Sequence, residues 1–135
     1  MPLETQGICP LLQVFDMPTA VRFYRDILGF EVSRTSQPRT RDDFDWCWLK
    51  RSHGTELMLN TAYEIEDRPP APDPAHVYAH KDTILYFGCP NVEEAYRHLV
   101  AKGLKLQEPK VTHYGMKQLY LNDPDGFGIC FQWAA

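Results

Sequence analysis

Hydrophobic and polar residues alternate along ICPLLQVF (8–15), FEVSRTS (30–36), FDWCWLK (44–50) and TELMLN (55–60). A period of two predicts four strands, each with one buried face. Between the first two the period lengthens. Ala20, Phe23, Tyr24, Ile27 and Leu28 recur at helical spacing behind Asp16-Met17-Pro18, where Asp can cap and Pro can sit in the first turn, and Gly29 ends the run. The same order then recurs. TILYFGC (83–89) reads as a strand, Asn91 as a helix cap, and Val92, Ala95, Tyr96 and Leu99 as the buried stripe of a helix ending at Gly103. LKLQ (104–107), MKQLYLN (116–122) and FGICFQW (127–133) follow as strands, the last entered through the Asp123-Pro124-Asp125-Gly126 turn. Both helices end in Gly followed by an apolar residue, Gly29-Phe30 and Gly103-Leu104, an offset of 103 − 29 = 74. The pattern predicts two copies of one βαβββ unit, over residues 8–60 and 82–134, within a single domain spanning 1–135.

Residues 61–81 interrupt the pattern. Pro69, Pro70, Pro72 and Pro74 crowd together after Glu64, Glu66 and Asp67, and such a run is stiff, extended and unable to pair in a central strand, which predicts a linker.

Composition narrows the function. With 135 residues, 44% apolar and 13% aromatic, the chain can bury a core of its own. A net charge of −4 with scattered Lys and Arg argues against a nucleic-acid partner. No apolar run reaches the roughly 20 residues that cross a bilayer, and MPLETQGICP lacks the regions of a signal peptide, so the expected location is the cytoplasm, without membrane contact. Cys9, Cys47, Cys89 and Cys130 form no CxxC pair and are expected to be thiols. There is no GxSxG elbow, no Gly-rich phosphate loop and no Cys paired with a His at informative spacing.

DMPTAVRFYRDILGFEV, its recurrence in NVEEAYRHLVAKGLKL, and the closing NDPDGFGICF together resemble the vicinal oxygen chelate superfamily of glyoxalase I, fosfomycin-resistance enzymes, extradiol dioxygenases and bleomycin-resistance proteins. The resemblance implies an α+β fold of two βαβββ modules that curl a mixed sheet around a cavity, commonly with a second chain, hence a homodimer. It also implies four metal-ligand positions. Seven residues before Asp16, the first holds Cys9; the second matches Glu56; the third falls on Ile84; the fourth, seven residues after Asp123, holds Cys130. The repeat offset supports this set by carrying Glu56 to Cys130. Ile84 cannot bind a metal, and thiols serve Mg²⁺ or Mn²⁺ poorly, so no metal or other cofactor is expected. The alternative is a metal-dependent lyase or dioxygenase-like enzyme in which Cys9, Glu56 and Cys130 hold zinc at an atypical site.

Without a metal, the cavity would act through shape and polar contacts, and whether any reaction is catalysed stays open. Strand parity places Leu11, Gln13, Met58, Asn60, Tyr86, Gln118, Tyr120 and Gln132 on the concave face with Glu56 and Cys130. Aromatic rings offer stacking surface and amides orient a ligand, the composition of a small-molecule site. Cys130 would be a small wall leaving room for that ligand. Glu56 would be protonated, hydrogen-bonded to Gln13 or Gln132, or neutralised by a cationic ligand. The expected function is therefore metal-independent sequestration of a small aromatic or cationic compound, as in resistance proteins. Trp46 and Trp48 share a face that the pattern does not fix, and His113-Tyr114-Gly115 is a loop candidate for the rim.

Overall fold

The structure, a computed structural model, describes residues 2–135. The chain divides into two compact units, one up to Pro70 and one from Ala71.

In the first unit, β1 (Leu11–Val14) leads into α1 (Met17–Arg22), then β2 (Glu31–Thr35), β3 (Trp46–Lys50) and β4 (Glu56–Thr61). Asp16 caps α1 by accepting from the Thr19 N–H at 3.2 Å, and Pro18 fits the first turn, where no N–H is needed. The helix widens into a π turn over Phe23–Ile27 before Gly29, at φ 83°, reverses the chain. The strand order is β1-β4-β3-β2, with β1 parallel to β4 and the rest antiparallel. Leu12, Val14, Cys47, Leu49, Leu57 and Leu59 alternate onto the face that α1 covers with Met17, Ala20 and Val21, and all are buried, as is Tyr24 in the π turn that follows. Each such aliphatic side chain is worth about 1.5–3 kcal/mol relative to exposure.

The second unit repeats this plan. β5 (Ile84–Gly88), α3 (Val92–Ala101), β6 (Lys110–Val111), β7 (Met116–Asn122) and β8 (Gly128–Ala134) give the order β5-β8-β7-β6, again with one parallel pair. Asn91 caps α3 by accepting from the Glu94 N–H at 3.1 Å, and its own Nδ2 donates back to the Glu94 carboxylate at 3.1 Å. The α+β class is as the resemblance implies, and the repeated strand–helix–strand order is as the alternation predicts, with two four-stranded mixed sheets.

Two expectations change. The Pro-rich stretch is not extended throughout: it holds a 3₁₀ turn at Ile65–Asp67 and α2 (Pro74–Ala79), followed by a 3₁₀ turn at His80–Asp82. Asp73 caps α2 through the Ala75 N–H at 3.0 Å, the same Asp-then-Pro entry that starts α1. This segment packs on the Asp123–Gly126 turn: the His80 ring stacks on Phe127 at 3.9 Å, its Nδ1 lies 2.6 Å from the Asp125 carbonyl, and Gly126 abuts the Val77 backbone. LKLQ, in turn, is not a strand. Leu104 and Leu106 alternate in burial with Lys105 and Gln107, yet pairing with β7 begins only at Lys110.

Candidate functional site

Cross-strand partners in a sheet point to one face, so the ladders decide which side chains meet. In the first unit Leu11 lies opposite Met58 and Gln13 opposite Asn60. Across β4, Trp46 lies opposite Asn60, Trp48 opposite Met58 and Lys50 opposite Glu56. The face away from α1 therefore carries Gln13, Glu56, Met58 and Asn60 as expected, and it also carries both tryptophans. Asn60 Nδ2 donates to Gln13 Oε1 at 3.4 Å and to the Thr61 carbonyl at 3.2 Å.

Glu56 corrects the expectation built on it. Its protein counter-charge is Lys50, whose Nζ lies 3.8 Å from the carboxylate and 4.3 Å from the centre of the Trp48 ring. The two charges flank one hairpin, so the fold itself sets a counter-charge beside Glu56. Cys9 is half-buried beside this pair; burial raises its thiol pKa, and the Glu56 charge raises it further. The buried Trp48 indole N–H faces the Cys9 thiol, and its hydrogen bond to that sulfur partly offsets the two effects that raise the thiol pKa.

In the second unit, Tyr86, Cys130 and Tyr120 form one row across β5, β8 and β7, with Gln132 opposite Gln118 next along. The tyrosine rings meet edge to face, with hydroxyls 2.8 Å apart. That hydrogen bond, and then burial, hold the Tyr120 hydroxyl above the ordinary phenol range. Cys130 is fully buried in this row, so it floors the tyrosine pair instead of forming an open wall, and burial raises its thiol pKa. Gln118, only 8% exposed, donates through Nε2 to Gln132 Oε1 at 2.9 Å and to the Tyr114 hydroxyl at 3.2 Å. Where the chain from Leu104 to Glu108 departs from β7, a groove of about 750 Å³ opens, lined by Gln118, Tyr120 and Asn122 on one side and by Lys105, Glu108 and Lys110 on the other. Tyr114, in the loop named as a rim candidate, joins Gln118 here, whereas the strap, expected as a strand over 104–107, escaped the sequence reading. Spacing alone signals the first, because Tyr114 and Gln118 stand four apart across the turn that opens β7.

The ladders also revise the ligand positions. Lys50 with Glu56 and Asn122 with Gly128 each close a five-residue hairpin loop, so Glu56 corresponds to Gly128 and Met58 to Cys130. Leu11 opposite Met58 and Tyr86 opposite Cys130 agree. A uniform offset misplaces Glu56 by two residues. Ile84 packs over Gly128, where an added Cβ would come within 2.9 Å of its side chain, and it offers no donor atom. Among the described residues no group of three His, Cys, Asp or Glu could hold a metal ion, so the side chains present do not fit the metal that the resemblance implies.

A family model described as the Glyoxalase/Bleomycin resistance protein/Dioxygenase superfamily matches residues 8–131. No curated protein sequence matches. Among solved structures, the chain is similar to TnmS3, an antibiotic binding protein from Streptomyces sp. CB03234, at 22% identity and TM-score 0.70 over 98% of each chain. TioX from Micromonospora sp. ML1 is 17% identical, with TM-score 0.72, over 97% of this chain and 100% of its own. A glyoxalase/bleomycin resistance protein from Streptomyces sp. CB03234 is 23% identical, with TM-score 0.64, over 93% and 97%.

Proposed function

Because the chain belongs to the glyoxalase/bleomycin resistance protein/dioxygenase superfamily, we propose that it is a small-molecule-binding protein that sequesters a small aromatic compound without a metal. The observation that carries this reading is the row Tyr86, Cys130 and Tyr120 beside the amide pair Gln118 and Gln132, at the edge of a groove of about 750 Å³. Exposed rings give stacking area at little entropic cost, and the amides fix orientation through hydrogen bonds. The volume lies in the range of small-molecule pockets, which is about 300–1,000 Å³. TnmS3, similar in fold, is described as an antibiotic binding protein, which supports the same reading here. With Lys50 beside Glu56, the ligand need not carry a positive charge.

The protein would act as a homodimer in the cytoplasm, where its four cysteines would stay reduced. The competing reading, a lyase or dioxygenase-like enzyme using Cys9, Glu56 and Cys130 on a metal, needs donors that the ladders do not align. Isothermal titration with two- and three-ring aromatic compounds tests the proposal. We expect saturable binding of at least one compound that Tyr120→Ala abolishes. Failure of every such compound to bind would sink it.

A further inference from the structure

We infer that His76 in α2 and His80, the residue that caps its C-terminal end, form a two-imidazole site for a divalent transition-metal ion such as Ni²⁺ or Cu²⁺. The run HVYAH sets the two histidines four residues apart, the spacing at which one helical face presents both rings. Their ring centroids stand 4.8 Å apart, with the planes tilted by 56° instead of stacked. With metal–nitrogen bonds of about 2.0–2.1 Å, two imidazoles side by side on one ion have centroids about 4.5–5 Å apart, so the pair already has the separation of a chelate.

The surroundings of His80 point to a ligand as well. Its Nδ1 lies 2.6 Å from the Asp125 carbonyl oxygen, which can only accept, so the hydrogen sits on Nδ1 and Nε2 keeps its lone pair. Metal-bound histidines are commonly set this way, with the second ring nitrogen donating to a backbone carbonyl that fixes both tautomer and orientation. The ring also lies on Phe127 at 3.9 Å and 11°, so binding orders little that is not already held. His76 is exposed, which gives the ion an approach from solvent. Imidazole suits Ni²⁺, Cu²⁺ and Zn²⁺ and is a poor substitute for the oxygens that Mg²⁺ takes. Two protein ligands leave the other positions to water, so the ion exchanges and is lost on dialysis, unlike a resident cofactor.

Calorimetric titration of the untagged full chain should show one equivalent of Ni²⁺ bound and no binding of Mg²⁺. His76→Ala, at an exposed position, should weaken Ni²⁺ by about tenfold or more, since loss of even an outer partner of a metal ligand costs that much. His80→Phe, which keeps a ring on Phe127, should do the same, and His113→Ala should leave the affinity unchanged. In proton NMR spectra of the parent protein, substoichiometric Ni²⁺ should broaden the ring signals of His76 and His80 before those of His53, His98 and His113. That broadening needs no variant, so it reads the site should His80→Phe fail to fold. Unaltered Ni²⁺ affinity in His76→Ala, earlier broadening at another histidine, or no Ni²⁺ binding by the parent reduces the pair to a ring contact and overturns the inference. None of these results bears on the ligand of the β7 groove, because neither histidine lines it.

Discussion

Gly126→Ala should destabilise the second unit far more than a neutral loop substitution. At this position φ is +89°, and an added Cβ would stand 2.6 Å from the Val77 carbonyl oxygen and 2.9 Å from its Cγ1. The left-handed conformation costs an L-residue about 1–2 kcal/mol. The clash is with helix backbone, which cannot rotate away, so the turn or α2 must move. Repacking of this kind typically costs a further ~1–3 kcal/mol, for a total near 3 kcal/mol. At a specific unfolding entropy of about 2.1 cal/mol/K per residue, that lowers Tm by roughly 10 °C for a chain of this length. Gly115→Ala is the control, because its φ is +87° and nothing lies within 4 Å of the added Cβ, so it should show the conformational part alone. Urea and thermal melts followed by circular dichroism give both values, and hydrogen exchange at the Val77 amide, which donates to the Asp73 carbonyl at 3.1 Å, reports whether α2 loosens. Equal losses for the two variants would refute the docking of α2 on the turn as a source of stability.

Protein purified without chelators should carry no stoichiometric Mg, Mn, Fe or Ni by elemental analysis; one equivalent of zinc, lost in Cys9→Ser with Cys130→Ser, would favour the enzymatic reading instead. Light scattering at micromolar concentration should give about twice the 15.7 kDa chain mass, and a clean monomer would contradict the dimer. Asp42 accepts two hydrogen bonds from Arg25, at 2.8 and 3.2 Å, which hold its pKa below the ordinary carboxylate value. The unfolded chain then binds the proton more readily, so this stabilisation is complete above pH ~4 and is lost as pH falls through the folded-state value. Arg25→Met should therefore cost about 1 kcal/mol near neutrality and flatten the acid limb of the stability curve, measured by urea melts from pH 7 to 2.

Alternation made most of this fold legible, since Leu57 and Leu59 against Met58 and Asn60, or Leu119 and Leu121 against Gln118 and Tyr120, sort themselves by parity alone. Pairing was not legible by the same means. LKLQ alternates as a strand does, but a ladder needs a partner at hydrogen-bonding distance, and sequence does not reveal that β6 starts only at Lys110. Likewise Asp73-Pro74 is a helix entry hidden among prolines that individually argue against a helix. Glu56 was misjudged because its counter-charge stands six residues earlier, across a hairpin whose register fixes both Lys50 and the side taken by Trp46 and Trp48. The hydrogen-bond direction through Gln118 is beyond any linear pattern, because it depends on which amide end meets Tyr114.

The shortness of β6 has a cost during synthesis and storage. The Thr112 N–H donates to the Met116 carbonyl, so the backbone groups of Met116, Gln118 and, by alternation, Tyr120 and Asn122 turn toward the outer edge of β7. Past Gln118 no strand among the described residues pairs with them, and an unpaired edge is a template on which another chain can add. The residues flanking that edge, Lys105, Lys110 and Glu108, bear charges that a stacking neighbour would have to bury against its own copies. Replacing the lysines to sharpen ligand selectivity would strip that guard, and variants of this groove should be watched for fibrils before they are read for affinity.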